Sequence, residues 1–104
     1  MKSSSTKLFN VVISEEAAID IEDAVYFFEN KVIGLGLRFS VELKSHLDTL
    51  ELNPFFQVRY KNVRCLPMKN FPFLIHFTIN EKENEVNVRA VFHTSLNPKI
   101  WSRR

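Results

Sequence analysis

Two side chains near the end of the chain stand at a spacing that could do chemistry. Arg89 and His93 lie four residues apart in the run Val86-Asn87-Val88-Arg89-Ala90-Val91-Phe92-His93. The run alternates, as a half-buried strand does. A period of two puts Val86, Val88, Ala90 and Phe92 on one face and Asn87, Arg89, Val91 and His93 on the other. A guanidinium beside an imidazole could hold an anion and move a proton near neutral pH. The same pair also suits a plain solvated sheet face, the commoner arrangement. The other reactive residues are scattered. His46, His76 and His93 are far apart in the chain, with one on a helical stretch, so no metal set is expected. Neither glycine follows a strand, which leaves no phosphate loop, and no cofactor is expected. Cys65 is the only cysteine and cannot form an internal bridge. It fits a small apolar strand position better than a nucleophile, and its solitude points to a reducing, cytoplasmic setting.

The elements that must position these residues follow from pattern. A length of 104 residues, 45% hydrophobic and 25% charged, suits one soluble domain, and ten phenylalanines can build its core without disulfides. No apolar run approaches the ~20 residues of a membrane span. Residues 1–7, MKSSSTK, read as a disordered tail and residues 8–104 as a single domain. Leu8 to Ser14 reads as a strand centred on Val11, Val12 and Ile13. Ser14 then caps a helix whose first turn holds Glu15 and Glu16. Ala18, Ile21, Val25, Phe28 and Val32 form its apolar stripe, with Asp20, Glu22, Asp23 and Glu29 expected in solvent. Gly34-Leu35-Gly36 ends that helix. A second runs from about Leu37 to Leu52, buries Phe39, Leu43, Leu47 and Leu50, and stops at Asn53-Pro54. So short a turn makes the two an antiparallel hairpin able to cover a sheet.

Val58 to Leu66 reads as one strand, bulged or bent near Asn62. A connection bracketed by Pro67 and Pro72 leads to the Phe73 strand. That strand has Phe73, Ile75, Phe77 and Ile79 on its apolar face and Leu74, His76 and Thr78 on the other. Residues 80–84 turn into the Val86 strand, and Asn97-Pro98 ends the sheet, with Trp101 expected to pack back onto the body. The fold class is α+β, in the order β-α-α-β-β-β, with the helices on one face and the last three strands in an antiparallel meander. Residues 1–52 hold five Lys or Arg against nine Asp or Glu, and residues 53–104 hold nine against three. The net charge of +2 therefore conceals an acidic first half and a basic second half, which points to an anionic partner for the latter. The expected contacts are Arg59, Lys61, Arg64, Arg89, Lys99, Arg103 and Arg104.

Four stretches carry a resemblance. They are Ser14-Glu15-Glu16-Ala17 with Tyr26-Phe27, Leu50-Glu51-Leu52-Asn53-Pro54, Val63-Arg64-Cys65-Leu66 with Phe71-Pro72-Phe73-Leu74-Ile75, and Val88-Arg89-Ala90-Val91-Phe92-His93 with Asn97-Pro98-Lys99-Ile100-Trp101. Together they resemble the RelE/ParE superfamily, the toxins of type II toxin–antitoxin pairs, from about Phe9 to Arg104. The ParE-like branch, often labelled plasmid stabilisation proteins, is the most similar. The resemblance implies a bacterial toxin, a hairpin over a curved antiparallel sheet, and a cognate antitoxin that wraps it. ParE-type members poison DNA gyrase and have no known catalytic residues. RelE-type members cut mRNA on the ribosome with a basic cluster and a proton-transfer residue. Such cleavage needs a base for the 2′-OH, an acid for the 5′-oxygen and cations on the phosphate. His93 matches the position where several nucleases of the superfamily place their His or Tyr, and Arg64 matches a strand arginine common in both branches. Arg89 would add a second cation. Leu96 stands where many relatives have an arginine before the Asn/Asp-Pro pair, and no tyrosine follows Tyr60. The balance favours gyrase inhibition, with mRNA cleavage or a decayed toxin that only binds its partner as the alternatives.

Overall fold

The computed structural model describes residues 8–103. The expected tail over residues 1–7 and the Arg104 cation lie outside the described residues. The elements are β1 (Asn10–Ile13), α1 (Glu15–Lys31), α2 (Leu35–Leu52), β2 (Val58–Tyr60), β3 (Val63–Pro67), β4 (Phe73–Asn80), β5 (Glu85–His93) and α3 (Pro98–Trp101). The fold is α+β, with the helices packed on a five-stranded mixed sheet of order β1-β5-β4-β3-β2. Strands β2 to β5 run as an antiparallel meander, and β1 joins β5 in parallel, from Asn10 opposite Glu85 to Ile13 opposite Val88. The strand expected over Val58–Leu66 is in fact two, because the chain reverses at Lys61-Asn62. Lys61 takes a left-handed φ of 48° there.

Local chemistry sets the hairpin. Ser14 caps α1, its Oγ accepting from the Ala17 amide at 3.0 Å. Gly34 turns the chain with a φ of 90°. Gly36 lets the helices close up, since a Cβ there would lie 2.7 Å from the Val25 carbonyl oxygen. Glu29 is exposed, as expected, and also holds the turn, accepting from the Gly34 and Gly36 amides at 3.0–3.1 Å. The buried side of α1 runs through Ala17 and Ala24, with Ile21, Val25 and Phe28 half-buried, so the stripe is rotated from the expected one. Ala18 and Val32 are exposed.

The helix-side core contains Phe39, Leu43, Leu50, Leu66, Ile75, Phe77, Val86 and Val88. Its centre is a quartet of rings. Phe28 and Phe39 stack at 5.5 Å, and Phe71 and Phe73 meet both at 4.9–5.8 Å. Edge-on and offset contacts of this kind suit the ring quadrupoles. Pro72 sits between Phe71 and Phe73, and a tight turn from the Phe73 amide to the Phe71 carbonyl (2.8 Å) helps bring both rings into the quartet.

Candidate functional site

The alternation expected along β5 breaks at Arg89. His76 pairs with Ala90 while its neighbour Phe77 pairs with Val88. Arg89 is therefore the extra residue of a β-bulge, where two residues of one strand oppose one of the other. The consequence reaches the end of the strand. Val86, Val88 and Val91 belong to the helix-side core, whereas Ala90 and Phe92 belong to the opposite face. Arg89 lines a cavity on that outer face, beside Thr78 and Trp101. His93 lies on the helix side, in a groove of about 370 Å³ with Asp20, Asp23, Ala24 and Phe27 of α1. Its ring is 5.2 Å from Phe73, and its Nδ1 accepts from the Ser95 amide at 3.0 Å. Arg89 and His93 thus do not share a face, contrary to the simple period.

Arg64 is in a third place. It pairs with Phe77 and so faces the helix side. Its Nη1 donates to the Phe56 carbonyl at 2.7 Å, and its guanidinium lies 5.4 Å from the Phe55 ring. Asp20, expected in solvent, accepts from the Val91 amide at 3.0 Å, on the stretch of β5 that β1 does not cover.

The outer face of the sheet carries its own small core of Leu74, Ala90, Phe92 and Trp101, with Tyr60 and Leu96 at its margin. Asn97 caps α3 through Oδ1, which accepts from the Lys99 amide at 3.0 Å. That cap turns the chain back so that Trp101, 9% exposed, closes the face. His76 lies beneath it, fully buried. Its ring is 4.8 Å from Trp101 and 5.0 Å from Phe92, and its Nδ1 is 3.0 Å from the Tyr60 hydroxyl and 3.5 Å from Cys65 Sγ. Burial pushes the Cys65 thiol up to about 11 despite the opposing charge of Arg59, so it keeps its proton at neutral pH. Of the other expected cations, Arg59, Lys99 and Arg103 are exposed. Lys61 reaches the Ser102 carbonyl at 3.4 Å and shares the outer-face cavity with Arg89.

A different surface lies on the hairpin. Ile33, Leu37 and Val41 are 92%, 68% and 62% exposed. Leu37 and Val41, one helical turn apart, line an open groove of about 490 Å³ with Phe71, Arg38 and Lys69. The groove is held in shape by Glu42, whose carboxylate accepts from the Lys69 amide at 2.6 Å, the Asn70 amide at 3.1 Å and Asn70 Nδ2 at 2.8 Å. An apolar ridge with polar edges is the usual character of a protein-binding surface.

No protein-family model and no curated protein matches the chain at a significant level. Solved structures do match in fold. A chain of the chromosomal ParDE toxin–antitoxin system from P. aeruginosa aligns with a TM-score of 0.68 at 19% identity, over 86% of this chain and 100% of that one. A chain of the archaeal RelE–RelB complex from Pyrococcus horikoshii OT3 aligns with a TM-score of 0.50 at 12% identity, over 86% and 99%. Among the described residues no helix is long and apolar enough to cross a membrane. The protein has the RelE/ParE fold, and its backbone lies nearer the ParDE structure than the RelE–RelB one.

Proposed function

We propose that the chain is the toxin of a type II toxin–antitoxin pair, that it works in the cytoplasm, and that it acts in the ParE manner, by inhibiting DNA gyrase. The observation that carries the toxin reading is the likeness in fold to a component of a ParDE system along that component's whole length. The choice of gyrase rests on the separation of the candidate nuclease groups. Arg64 donates one bond to the Phe56 carbonyl beside Phe55, Arg89 lines the outer-face cavity, and His93 lies at the far end of β5 in the groove against α1. Concerted proton transfer and phosphate neutralisation need such groups within reach of one substrate. The antitoxin in this reading covers the ridge of Ile33, Leu37 and Val41, with acidic residues meeting Arg38 and Lys69. The mRNA-cleaving alternative is kept as an outcome of the test. Purified protein is assayed for inhibition of gyrase supercoiling and for cleavage of mRNA on programmed ribosomes, alongside growth arrest by the wild type and His93→Ala. Gyrase inhibition with toxicity retained in His93→Ala is expected. Transcript cleavage lost in His93→Ala, with gyrase untouched, would overturn the gyrase reading, and silence in both assays would leave a chain that only binds its partner.

A further inference from the structure

We propose that His46 is a proton-operated anchor in the hairpin groove, one that tightens the hold on an acidic amphipathic helix of the partner as the medium turns mildly acid. The inference rests on the reading that the antitoxin covers this ridge, and it adds how that hold is regulated. Leu37, Val41 and Phe71 give the groove its apolar lining, and Arg38, Glu42 and Lys69 give it charge, with His46 in the same wall. Leu37 and Val41 stand one helical turn apart and mostly exposed, a spacing that receives the apolar side of another helix. Arg38 and Lys69 are exposed and suit acidic residues flanking that side.

His46 is built in as part of the wall. Its side chain is 18% exposed, and its Nε2 lies 2.9 Å from Glu42 Oε2. Against the upward push of burial, the bonds from His46, Asn70 and Lys69 hold the Glu42 carboxyl at about 2, so it stays ionised at neutral and mildly acid pH. An ionised carboxylate only accepts. The Nε2 that faces it therefore carries a hydrogen in either charge state, and Nδ1 is the atom that takes up or releases the proton. Proton uptake keeps the bond to Glu42 and adds a positive charge to the wall. Two cations, Arg38 and Lys69, stand against the Glu42 carboxylate, and a protonated His46 makes them three. The charged residues beside His46 on α2, Lys44 and Asp48, are bound to each other at 2.7 Å, and the β3–β4 loop contributes Lys69. An imidazole changes charge between about pH 8 and pH 5. A bound acidic residue favours the protonated ring, and by linkage the protonated ring favours the acidic residue.

A synthetic helical peptide of about twenty residues, with leucine along one face and glutamate beside it, is the probe. Its affinity for the purified protein is read by fluorescence anisotropy between about pH 8 and pH 6 at constant ionic strength. The wild type should bind about fivefold more tightly at the acid end, the worth of one partly exposed ion pair. His46→Gln keeps a donor for Glu42 and cannot titrate, so its affinity should stay nearly flat with pH. A probe with glutamine in place of glutamate should lose the pH dependence on the wild type. Leu37→Glu should weaken binding at every pH, which places the probe in the groove. Equal pH dependence in wild type and His46→Gln overturns the inference and leaves the docking reading standing. A probe that fails to bind, or that binds Leu37→Glu as well as wild type, overturns the docking reading and the inference with it. The glutamine probe on the wild type decides the matter if His46→Gln fails to fold, since a pH dependence that persists there overturns the inference.

Discussion

The two faces of the sheet bury their side chains by different means. The helix side is covered by thirty-five residues of helical hairpin, and its rings interlock across three segments of the chain. The outer side is covered by one four-residue helix that delivers a single large side chain, Trp101. A hairpin with many buried contacts belongs to the part of a fold that opens only on global unfolding, whereas a short terminal helix can open locally. The helix side is therefore the scaffold, and the outer side is where the protein can change shape at low cost. Phe39→Ala and Leu43→Ala should measure the scaffold. Both residues are at most 5% exposed, and each truncation should cost about 2–5 kcal/mol and lower the Tm clearly. Glu22→Ala, on the exposed side of α1, serves as the surface control. Losses no larger than that control in denaturant unfolding would remove the contrast between the faces.

Trp101→Ala should measure the lid. The indole closes the outer face, but its helix is held by one side-chain cap and few other bonds, so part of the cost is relieved by local opening. A loss of about 1–3 kcal/mol is expected, below that of Phe39→Ala. The sharper readout is His76, which lies fully buried beneath the lid. Its modification by diethyl pyrocarbonate should be slow in the wild type and fast in Trp101→Ala. Equal rates would mean that the outer face is not closed by α3.

The same contrast explains which features were legible in the sequence. The hairpin could be read because its signals are local: Ser14 at the cap, Gly34 in the turn, and a helical period that marks Phe39, Leu43 and Leu50. The centre of the α1 face, Ile21, Val25 and Phe28, is legible, but its ends are not, since Ala18 and Val32 are exposed. Bulky residues drew the stripe, while the tight approach is made at Ala17, Ala24 and Gly36, where small side chains admit the neighbouring helix. The strands of the meander were legible, but the faces of β5 beyond Val88 were not. The bulge at Arg89 is set by pairing with β4, and neither glycine nor proline marks it. That one residue moved His93 away from Arg89 and dissolved the most chemical-looking pair in the chain. The parallel pairing of β1 with β5 likewise joins segments more than seventy residues apart, which no local pattern announces. The outer-face cluster did carry a signal. Leu74, Ala90 and Phe92 are too apolar for a solvated face once the bulge is allowed for, and a lone tryptophan nearby is a natural cover.

The scaffold also has a polar seam, built around one carboxylate. Glu42 on α2 gathers the Lys69 and Asn70 amides of the β3–β4 loop and lies 2.9 Å from His46 Nε2. Its side chain is only 14% exposed. Burial pushes its carboxyl up, but the bonds from His46, from the amide and side chain of Asn70 and from the Lys69 amide outweigh that and hold it at about 2, against an ordinary 4.5. A depressed folded-state value means that the contribution is complete above the unfolded value and vanishes as pH falls through the folded one. The seam should therefore weaken between about pH 4.5 and pH 2. Glu42→Gln keeps an acceptor oxygen and loses the charge, so at neutral pH it should cost about 2 kcal/mol, the worth of a charge-assisted bond or two. The gap between wild type and variant should narrow steadily over the acid window and close near its lower end. Denaturant unfolding at several pH values reads this directly. A gap that stays constant from pH 7 to pH 2 would show that Glu42 fills space in the loop without holding it by charge.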